Sequence, residues 1–219
     1  KGVKVPVWEE TVDEKRWKWT PERGVSVVFS FIDGAHILID KDHLPTESQV
    51  HSAGAALADI HIAGRDFITN APRSRTIFSE LERVLANEAA FVSDFEGGKE
   101  FVTQVKEMIE FGKRSDADRS IIHNDYKFHN VFFHEDSSVS GIIDFDWCNI
   151  GPVVKDLAHS ALEWSYPDGT AGPSWKIFGS FLAGYHSRAS VCYKNDNELY
   201  TWVMYGALSD AATYFCDRL

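Results

Sequence analysis

One stretch near the middle of the chain constrains the fold more than any other, residues 121–133. Apolar residues stand at both ends of this stretch and polar residues fill its centre. Such a pattern predicts a short buried strand, a polar loop and a second short buried strand. A further apolar segment at 141–143 ends at an acidic residue, Asp144. The region therefore predicts a small sheet whose loops bring polar side chains together.

The polar loop reads His-x-Asp-x-x-x-x-Asn, and an Asp-Phe pair follows it on the next strand. Phosphoryl transfer needs such a set, because one carboxylate, here Asp125, must orient the attacking hydroxyl group and accept its proton. An amide oxygen and a second carboxylate, here Asn130 and Asp144, suit Mg²⁺ on nucleotide phosphates. The plainer alternative for Asp125 is a loop aspartate that caps its own backbone.

At these residues the sequence resembles the aminoglycoside phosphotransferase family, which groups small-molecule kinases and includes choline and homoserine kinases. The chain has Asn124 where the family more often has glycine. The resemblance runs from about Val25 to the C-terminus. It implies an α+β, protein-kinase-like fold, with a mainly helical C-lobe, a catalytic β-hairpin and a partial N-lobe sheet. It also implies ATP or GTP and Mg²⁺ as cofactors, and a small-molecule hydroxyl acceptor.

The resemblance divides the chain into a remnant of the N-lobe (residues 1–34, a β-hairpin and the hinge) and a helical C-lobe with the catalytic loop (residues 35–219). The hairpin should pair strands at 16–20 and 25–32, the first of them half-buried. Adenine would bind the hinge near Phe29, Ser30 and Phe31. Taken alone, the segment favours an ordinary hairpin strand, and the catalytic loop downstream favours the hinge instead. Residues 1–24 contain no glycine-rich phosphate loop and no strand lysine with a helix glutamate, so we expect a kinase that lacks most of its N-lobe.

Several polar residues near the loop have more than one interpretation. His123, grouped with Asp125 as catalytic, should lie beneath the loop and donate a hydrogen bond to backbone or to a carboxylate. Lys127 either contacts the γ-phosphate or is solvated, and Asp146 either binds metal or substrate or faces solvent. Three aromatic residues are expected to line the acceptor site: Trp147, Trp164 and Tyr166.

Two further polar residues are expected to support the loop. Asp156 stands in a Lys-Asp-Leu-Ala segment that is similar to the family's Asp-Leu-Ala segment, which implies a buried carboxylate bound to the loop backbone. His61 is expected to be a core histidine or a brace for the same loop. Apolar residues at helical spacing predict helices at 47–63, 73–92, 99–111, 153–164, 175–188 and 196–216, the first capped by Thr46 and Gln49.

The sequence is also compatible with two other functions. His123, Asp125, His129 and His134 could form the zinc site of a hydrolase, but that interpretation leaves Asn130 unexplained. The chain could instead be a catalytically incomplete kinase fragment or pseudokinase that acts as a binding module, because charge stabilisation is the main catalytic term in phosphoryl transfer.

The net charge of the chain indicates which molecules it can bind. Lys and Arg total 22 against 33 Asp and Glu, and 22 − 33 gives −11. An acidic surface repels nucleic-acid phosphates and mildly favours an amine-bearing acceptor. The three cysteines contain no CxxC pair, and no apolar run suggests a signal peptide or a membrane span. We therefore expect reduced thiols in a cytoplasmic protein with no membrane or nucleic-acid partner.

Overall fold

The computed structural model describes residues 2, 4–37, 42–70, 73, 75–166, 170–190, 193 and 197–219. The loop predicted around 167–169, the first residue of the helix predicted at 196–216, and Cys192 lie outside these ranges. The helices and strands are, in chain order, β1 (Lys18–Thr20), β2 (Gly24–Ser26), β3 (Ala35–His36), α1 (Glu47–Gly64), α2 (Ser79–Ala86), α3 (Glu88–Asp94), α4 (Gly98–Arg114), β4 (Arg119–Ile122), β5 (Val131–Phe133), β6 (Val139–Ile142), β7 (Asn149–Pro152), α5 (Val153–Ser165), α6 (Trp175–His186) and α7 (Asn197–Cys216).

The first helix begins at a capping box. The Thr46 hydroxyl accepts a hydrogen bond from the Gln49 amide at 3.2 Å, and the Gln49 side chain accepts one from the Thr46 amide at 2.9 Å. These bonds satisfy two backbone donors that would otherwise lack partners at the helix start. The cap predicted from the sequence is therefore confirmed.

Close contact between α1 and α6 depends on two glycines. A Cβ atom at Gly54 would lie 2.1 Å from the Phe181 carbonyl oxygen, and one at Gly184 would lie 2.0 Å from the His51 carbonyl oxygen. A side chain at either position would push the helices apart, so the absence of Cβ lets the two backbones approach. This pair of helices forms the back wall of the helical body.

An aromatic core lies beneath the catalytic loop. The Trp164 side chain is fully buried, and its ring lies 5.9 to 6.4 Å from the rings of four neighbours: Tyr126, Phe128, Phe133 and Phe181. Such ring contacts bury large apolar areas in fixed geometry. The expectation that Trp164 lines the acceptor site is therefore wrong, because its side of α5 faces the core.

Two small antiparallel sheets carry the polar loops. One has the strand order β3-β5-β6, with Val131 opposite Ile142, and the other is a ribbon in which Ile121 of β4 lies opposite Ile150 of β7. The loop between β4 and β5 contains the predicted catalytic residues. The connection from β6 to β7 contains Asp144 and a short 3₁₀ turn, Phe145–Trp147.

The N-terminal segment is less buried than the sequence predicted. Among the described residues of this segment, Lys18–Thr20 and Gly24–Ser26 form strands, and Phe29 makes an antiparallel bridge to Trp8. Trp19 is 59% exposed, so the half-buried strand predicted at 16–20 is wrong. Alternation along a strand gives burial only where a second layer covers one face. Among the described residues, none covers the hairpin in this way.

Two helix boundaries differ from the prediction. The helix predicted at 73–92 begins only at Ser79 and is divided at Asn87, whose side chain binds the Arg83 carbonyl at 2.9 Å and competes with the helical backbone. Gly112 does not stop α4, which continues to Arg114. A Cβ atom at Gly112 would lie 2.9 Å from the Phe78 ring, so this glycine serves close packing.

Two remaining expectations concern the membrane and the cysteines. Across the described ranges, every helix is too short or too polar to serve as a membrane span. Cys148 and Cys216 both have free thiols.

Candidate active site

A buried carboxylate, Asp156 near the start of α5, holds the beginning of the catalytic loop. Its Oδ2 accepts a hydrogen bond from the His123 amide at 2.8 Å, and its Oδ1 accepts one from the Asn124 amide at 2.9 Å. Burial by itself would raise the pKa of Asp156, but the hydrogen bond with His61 and the nearby charges hold it well below its usual range. Asp156 is thus the fixed acceptor for the loop backbone that its sequence context implied.

His61 braces this carboxylate from the other side. Its Nε2 lies 3.0 Å from Asp156 Oδ2, and its Nδ1 lies 2.8 Å from the Tyr185 hydroxyl oxygen. Burial raises the pKa of Tyr185, so the hydroxyl keeps its proton. A chain of hydrogen bonds through Tyr185, His61 and Asp156 therefore connects helices α6, α1 and α5 to the catalytic loop.

Two side chains fix the carboxylate of Asp125. Asn130 Nδ2 donates to the Asp125 carbonyl oxygen at 2.8 Å and to Oδ2 at 3.2 Å, while Lys127 Nζ lies 3.0 Å from Oδ1. Partial burial acts to lower the pKa of Lys127, but the bond to Asp125 and the charges of Glu163 and Asp144 raise it above its usual value. Lys127 is therefore an ion-pair partner of Asp125.

His123 connects the catalytic loop to the strand that leads to Asp144. The ring is fully buried, Nε2 donates to the Ile143 carbonyl at 2.9 Å, and Nδ1 has no hydrogen-bond partner among the described residues. The donated bond to backbone is the one predicted from the sequence. The side chain lines neither of the two cavities described below.

Asp144 has left-handed backbone angles, φ 63° and ψ 61°, and its side chain is exposed. The preceding amide, of Ile143, donates to the Asn130 carbonyl at 3.0 Å, which joins the two segments that supply the predicted metal ligands. Left-handed angles are sparsely populated by non-glycine residues and recur at functional sites. The Asp144 side chain lines the first of the two cavities described below.

Two arginines contact the turn that follows Asp144. Arg73 donates to the Asp146 carbonyl at 2.6 Å, and the Arg75 guanidinium lies 3.9 Å from the centre of the Trp147 ring. The Asp146 side chain itself is exposed. These arginines come from the segment before α2, which the sequence did not connect to the site.

A cavity of about 840 Å³ lies between the N-terminal segment and this turn. The predicted hinge residues and both acids of the turn line it: Phe29, Ser30, Phe31, Asp144 and Asp146. The Ser30 amide already donates to the Val7 carbonyl at 2.7 Å. That donor is therefore not free for an adenine ring, although the cavity has the size of a small-molecule site.

A second cavity, of about 420 Å³, opens beside the catalytic loop. Asp125, Lys127 and Trp147 line it from the loop side, and Asp210 and Asp217 line it from the C-terminal helix and its end. The sequence predicts Trp147 at the acceptor site. Tyr166, predicted with it, does not line this cavity.

One cluster of side chains was missed by sequence reasoning. One ligand atom each from His159, Glu163 and Asp210 lie within 4.8 Å of one another, and His159 Nε2 lies 2.9 Å from Asp210 Oδ2. The spacing of His159 and Glu163 on one helix was visible, but Asp210 stands 51 residues away. Among the described residues, these are the His and acidic side chains that lie close enough together to hold a metal ion. They include none of the four residues of the zinc hypothesis.

Comparison with known proteins places the fold. A family model described as "Phosphotransferase enzyme family" matches residues 1–190. A solved structure of an amicoumacin kinase in complex with AMP-PNP, Ca²⁺ and Ami is similar over 97% of this chain and 65% of that chain, with a TM-score of 0.70 and 12% identity. A choline kinase from Cryptosporidium parvum gives a TM-score of 0.64 at 12% identity, over 99% of this chain and 67% of that one. The fold is therefore protein-kinase-like, as predicted.

Curated relatives point the same way. A homoserine kinase of Rhodopseudomonas palustris is 30% identical over 142 residues, which are 64% of this chain and 42% of that protein. The chain thus spans less than half the length of this relative. Because the family model covers most of the chain, the resemblance seen in the sequence is confirmed, and the chain belongs to the phosphotransferase enzyme family.

Proposed function

We propose that this chain carries the catalytic loop of a small-molecule kinase, which transfers the γ-phosphate of ATP or GTP to a hydroxyl group of a small, amine-bearing acceptor. One observation carries the proposal: Asp144 lines the first cavity, Asp125 lines the second, and Asn130 joins the two segments through hydrogen bonds with Asp125 and with the Ile143 amide. A phosphoryl donor and a hydroxyl acceptor need two adjoining spaces, with acidic groups where they meet.

The nucleotide would occupy the first cavity. Phe29 and Phe31 offer apolar faces to a base, and Arg73 offers a guanidinium group to the phosphates. In the similar amicoumacin kinase, a nucleotide analogue and a divalent cation are bound together. We assign residues 1–34 to the partial N-lobe and residues 35–219 to the C-lobe.

Asn130 and Asp144 would hold Mg²⁺. The amide nitrogen of Asn130 is committed to Asp125, which leaves its oxygen as a ligand, and Asp144 offers an exposed carboxylate. Hard oxygen donors of this kind fit Mg²⁺. When bound, the ion would neutralise charge on the phosphates. Asp146 lines the same cavity and could contribute to metal or substrate binding.

Asp125 would act as the base. Lys127 binds one of its carboxylate oxygens and Asn130 the other, so the group has a fixed direction. A fixed carboxylate can orient the acceptor hydroxyl for attack and accept its proton late in the reaction. Lys127 would also place positive charge beside the transferred group.

The second cavity would take the acceptor. Its lining combines the carboxylates of Asp125, Asp210 and Asp217, which suit an ammonium group, with the cationic side chains of Lys127, Lys155 and Arg218. The curated relatives named homoserine kinase make homoserine the first acceptor to test.

A binding module without catalytic activity is the second candidate. Arg73 is the lone Lys or Arg residue in the described lining of the first cavity, where a triphosphate requires strong charge compensation. On this alternative the chain binds a nucleotide but transfers no phosphate.

The test is transfer of labelled γ-phosphate from ATP and from GTP, with Mg²⁺, to homoserine, choline, an aminoglycoside and an alcohol without an amine. We expect transfer to an amine-bearing acceptor and a loss of about 10³-fold or more in Asp125→Asn, with unchanged nucleotide affinity. Full activity in Asp125→Asn would refute the base assignment. Mg²⁺-dependent nucleotide binding without transfer to any acceptor would favour the binding module.

A further inference from the structure

Lys155 occupies an unusual position in the first turn of α5. The residue is 2% exposed, and its ammonium group contacts Asn124 Oδ1 at 2.5 Å and His159 Nδ1 at 3.2 Å. Lysine is rarely buried to this extent, because removing the ammonium group from water costs free energy. Burial accordingly lowers the pKa of Lys155, although nearby carboxylates act in the opposite direction. A group held at such cost needs a structural or functional reason.

The residue that Lys155 binds has a strained backbone. Asn124 has φ of 65°, in the left-handed region that glycine adopts freely and asparagine tolerates better than most residues. Its amide donates to Asp156 Oδ1 at 2.9 Å, and its side-chain oxygen accepts from Lys155. Two consecutive residues of α5 therefore hold Asn124, one through its backbone and the other through its side chain.

The contact extends across the helical body. His159 Nδ1 lies 3.2 Å from Lys155 Nζ, and its Nε2 lies 2.9 Å from Asp210 Oδ2. The Lys155 ammonium group therefore lies beside the cluster of His159, Glu163 and Asp210. Both ring nitrogens of His159 already have partners, Lys155 and Asp210. The arrangement favours a rigid support for Lys155 over a metal site.

We infer that Lys155 is a positioning residue: together with Asp156 it keeps Asn124 in its left-handed conformation, and so directs the carboxylate of the next residue, Asp125, into the acceptor cavity. The inference rests on the proposed function of Asp125. Rotation of the backbone at Asn124 would swing that carboxylate, and small displacements of a reacting group can cost about 100-fold in rate.

Steady-state kinetics of a double-mutant cycle tests this role. Lys155→Met should lower kcat by about 10- to 100-fold, with KM for nucleotide and acceptor within about twofold. Because Asn124→Gly removes the partner, Lys155→Met should change kcat by no more than about twofold in that background. Lys106→Met, which removes an exposed lysine paired with Glu88 on distant helices, is the matched control and should leave kcat unchanged.

Different results would overturn the inference. If Lys155→Met raised the acceptor KM and left kcat unchanged, Lys155 would be an acceptor contact. If the two substitutions multiplied in kcat, no coupling would exist. Should Lys155→Met fail to fold, Asn124→Ala removes the same contact from the loop side. It should lower kcat by about 10-fold or more at constant KM, and an unchanged kcat would be decisive against the inference.

A readout without activity separates this inference from the proposed function. If the unmodified chain transferred no phosphate, the proposed kinase function would be wrong, but the Lys155–Asn124 contact could still hold the loop. In that case hydrogen exchange of the 123–130 amides should be faster in Lys155→Met than in Lys106→Met, and the Tm changes of Lys155→Met and Asn124→Gly should be non-additive. Unchanged exchange with additive Tm changes would overturn the contact itself.

Discussion

The N-terminal segment and the helical body use similar apolar residues with opposite results. Trp19, Val25 and Val28 are 59%, 67% and 63% exposed, whereas Trp164 and Trp202 are fully buried. The helical body has helices on several sides of each apolar face, while the hairpin has one layer. An apolar pattern therefore predicts an element, but burial depends on what packs against it. The following predictions test this difference, from the largest expected effect to the smallest.

Trp164→Ala should have the largest effect on stability. The substitution opens a cavity within the aromatic core beneath the catalytic loop, and such changes cost about 3–5 kcal/mol. We expect the free energy of unfolding, measured by urea denaturation with circular dichroism, to fall by that amount. Trp175→Ala is the matched control, because Trp175 is 59% exposed, and it should cost less than about 1 kcal/mol. Equal losses in the two variants would contradict the comparison.

Asp156→Asn should have the next largest effect on stability. We expect the free energy of unfolding to fall by about 2–4 kcal/mol, because the substitution weakens hydrogen bonds from the loop backbone and from His61. The folded-state pKa of Asp156 lies below its unfolded value, which is about 4. Its contribution is therefore complete above pH 4 and is lost as the pH falls further. Urea unfolding from pH 6 to pH 2.5 should show this acid dependence in the unmodified chain and a weaker one in Asp156→Asn. Identical pH profiles would contradict the assignment.

These two residues also show what sequence can predict. The resemblance implies the role of Asp156 because its signal is local: a short segment similar to the family's Asp-Leu-Ala segment. Trp164 was misassigned because closeness in sequence to the site does not fix the direction of a side chain. The His159–Asp210 pair spans 51 residues and the Lys155–Asn124 pair spans 31. Such contacts arise only when helices pack, so no local pattern could indicate them.

Phe31→Ala separates function from stability within the N-terminal segment. Phe31 is 88% exposed but lines the 840 Å³ cavity. If a nucleotide base packs against it, the substitution should weaken nucleotide binding by about 10-fold, with Tm unchanged within about 1 °C. Calorimetric titration with ATP and Mg²⁺ measures the affinity. Ile68→Ala is the control, since Ile68 is also 88% exposed and does not line the cavity. The nucleotide affinity of this variant should equal that of the unmodified chain.

Trp19→Ala should have the smallest effect, below about 0.5 kcal/mol, because a side chain that is already 59% exposed loses few contacts. Trp8→Ala provides a graded comparison in the same segment. Trp8 is 48% exposed and packs edge-on against Phe29, with ring centres 5.7 Å apart, so its removal should cost about 0.5–1.5 kcal/mol. Urea unfolding followed by tryptophan fluorescence would give both values. A loss above about 2 kcal/mol in Trp19→Ala would mean that the hairpin face is covered in solution, and the contrast in burial between the two regions would not hold.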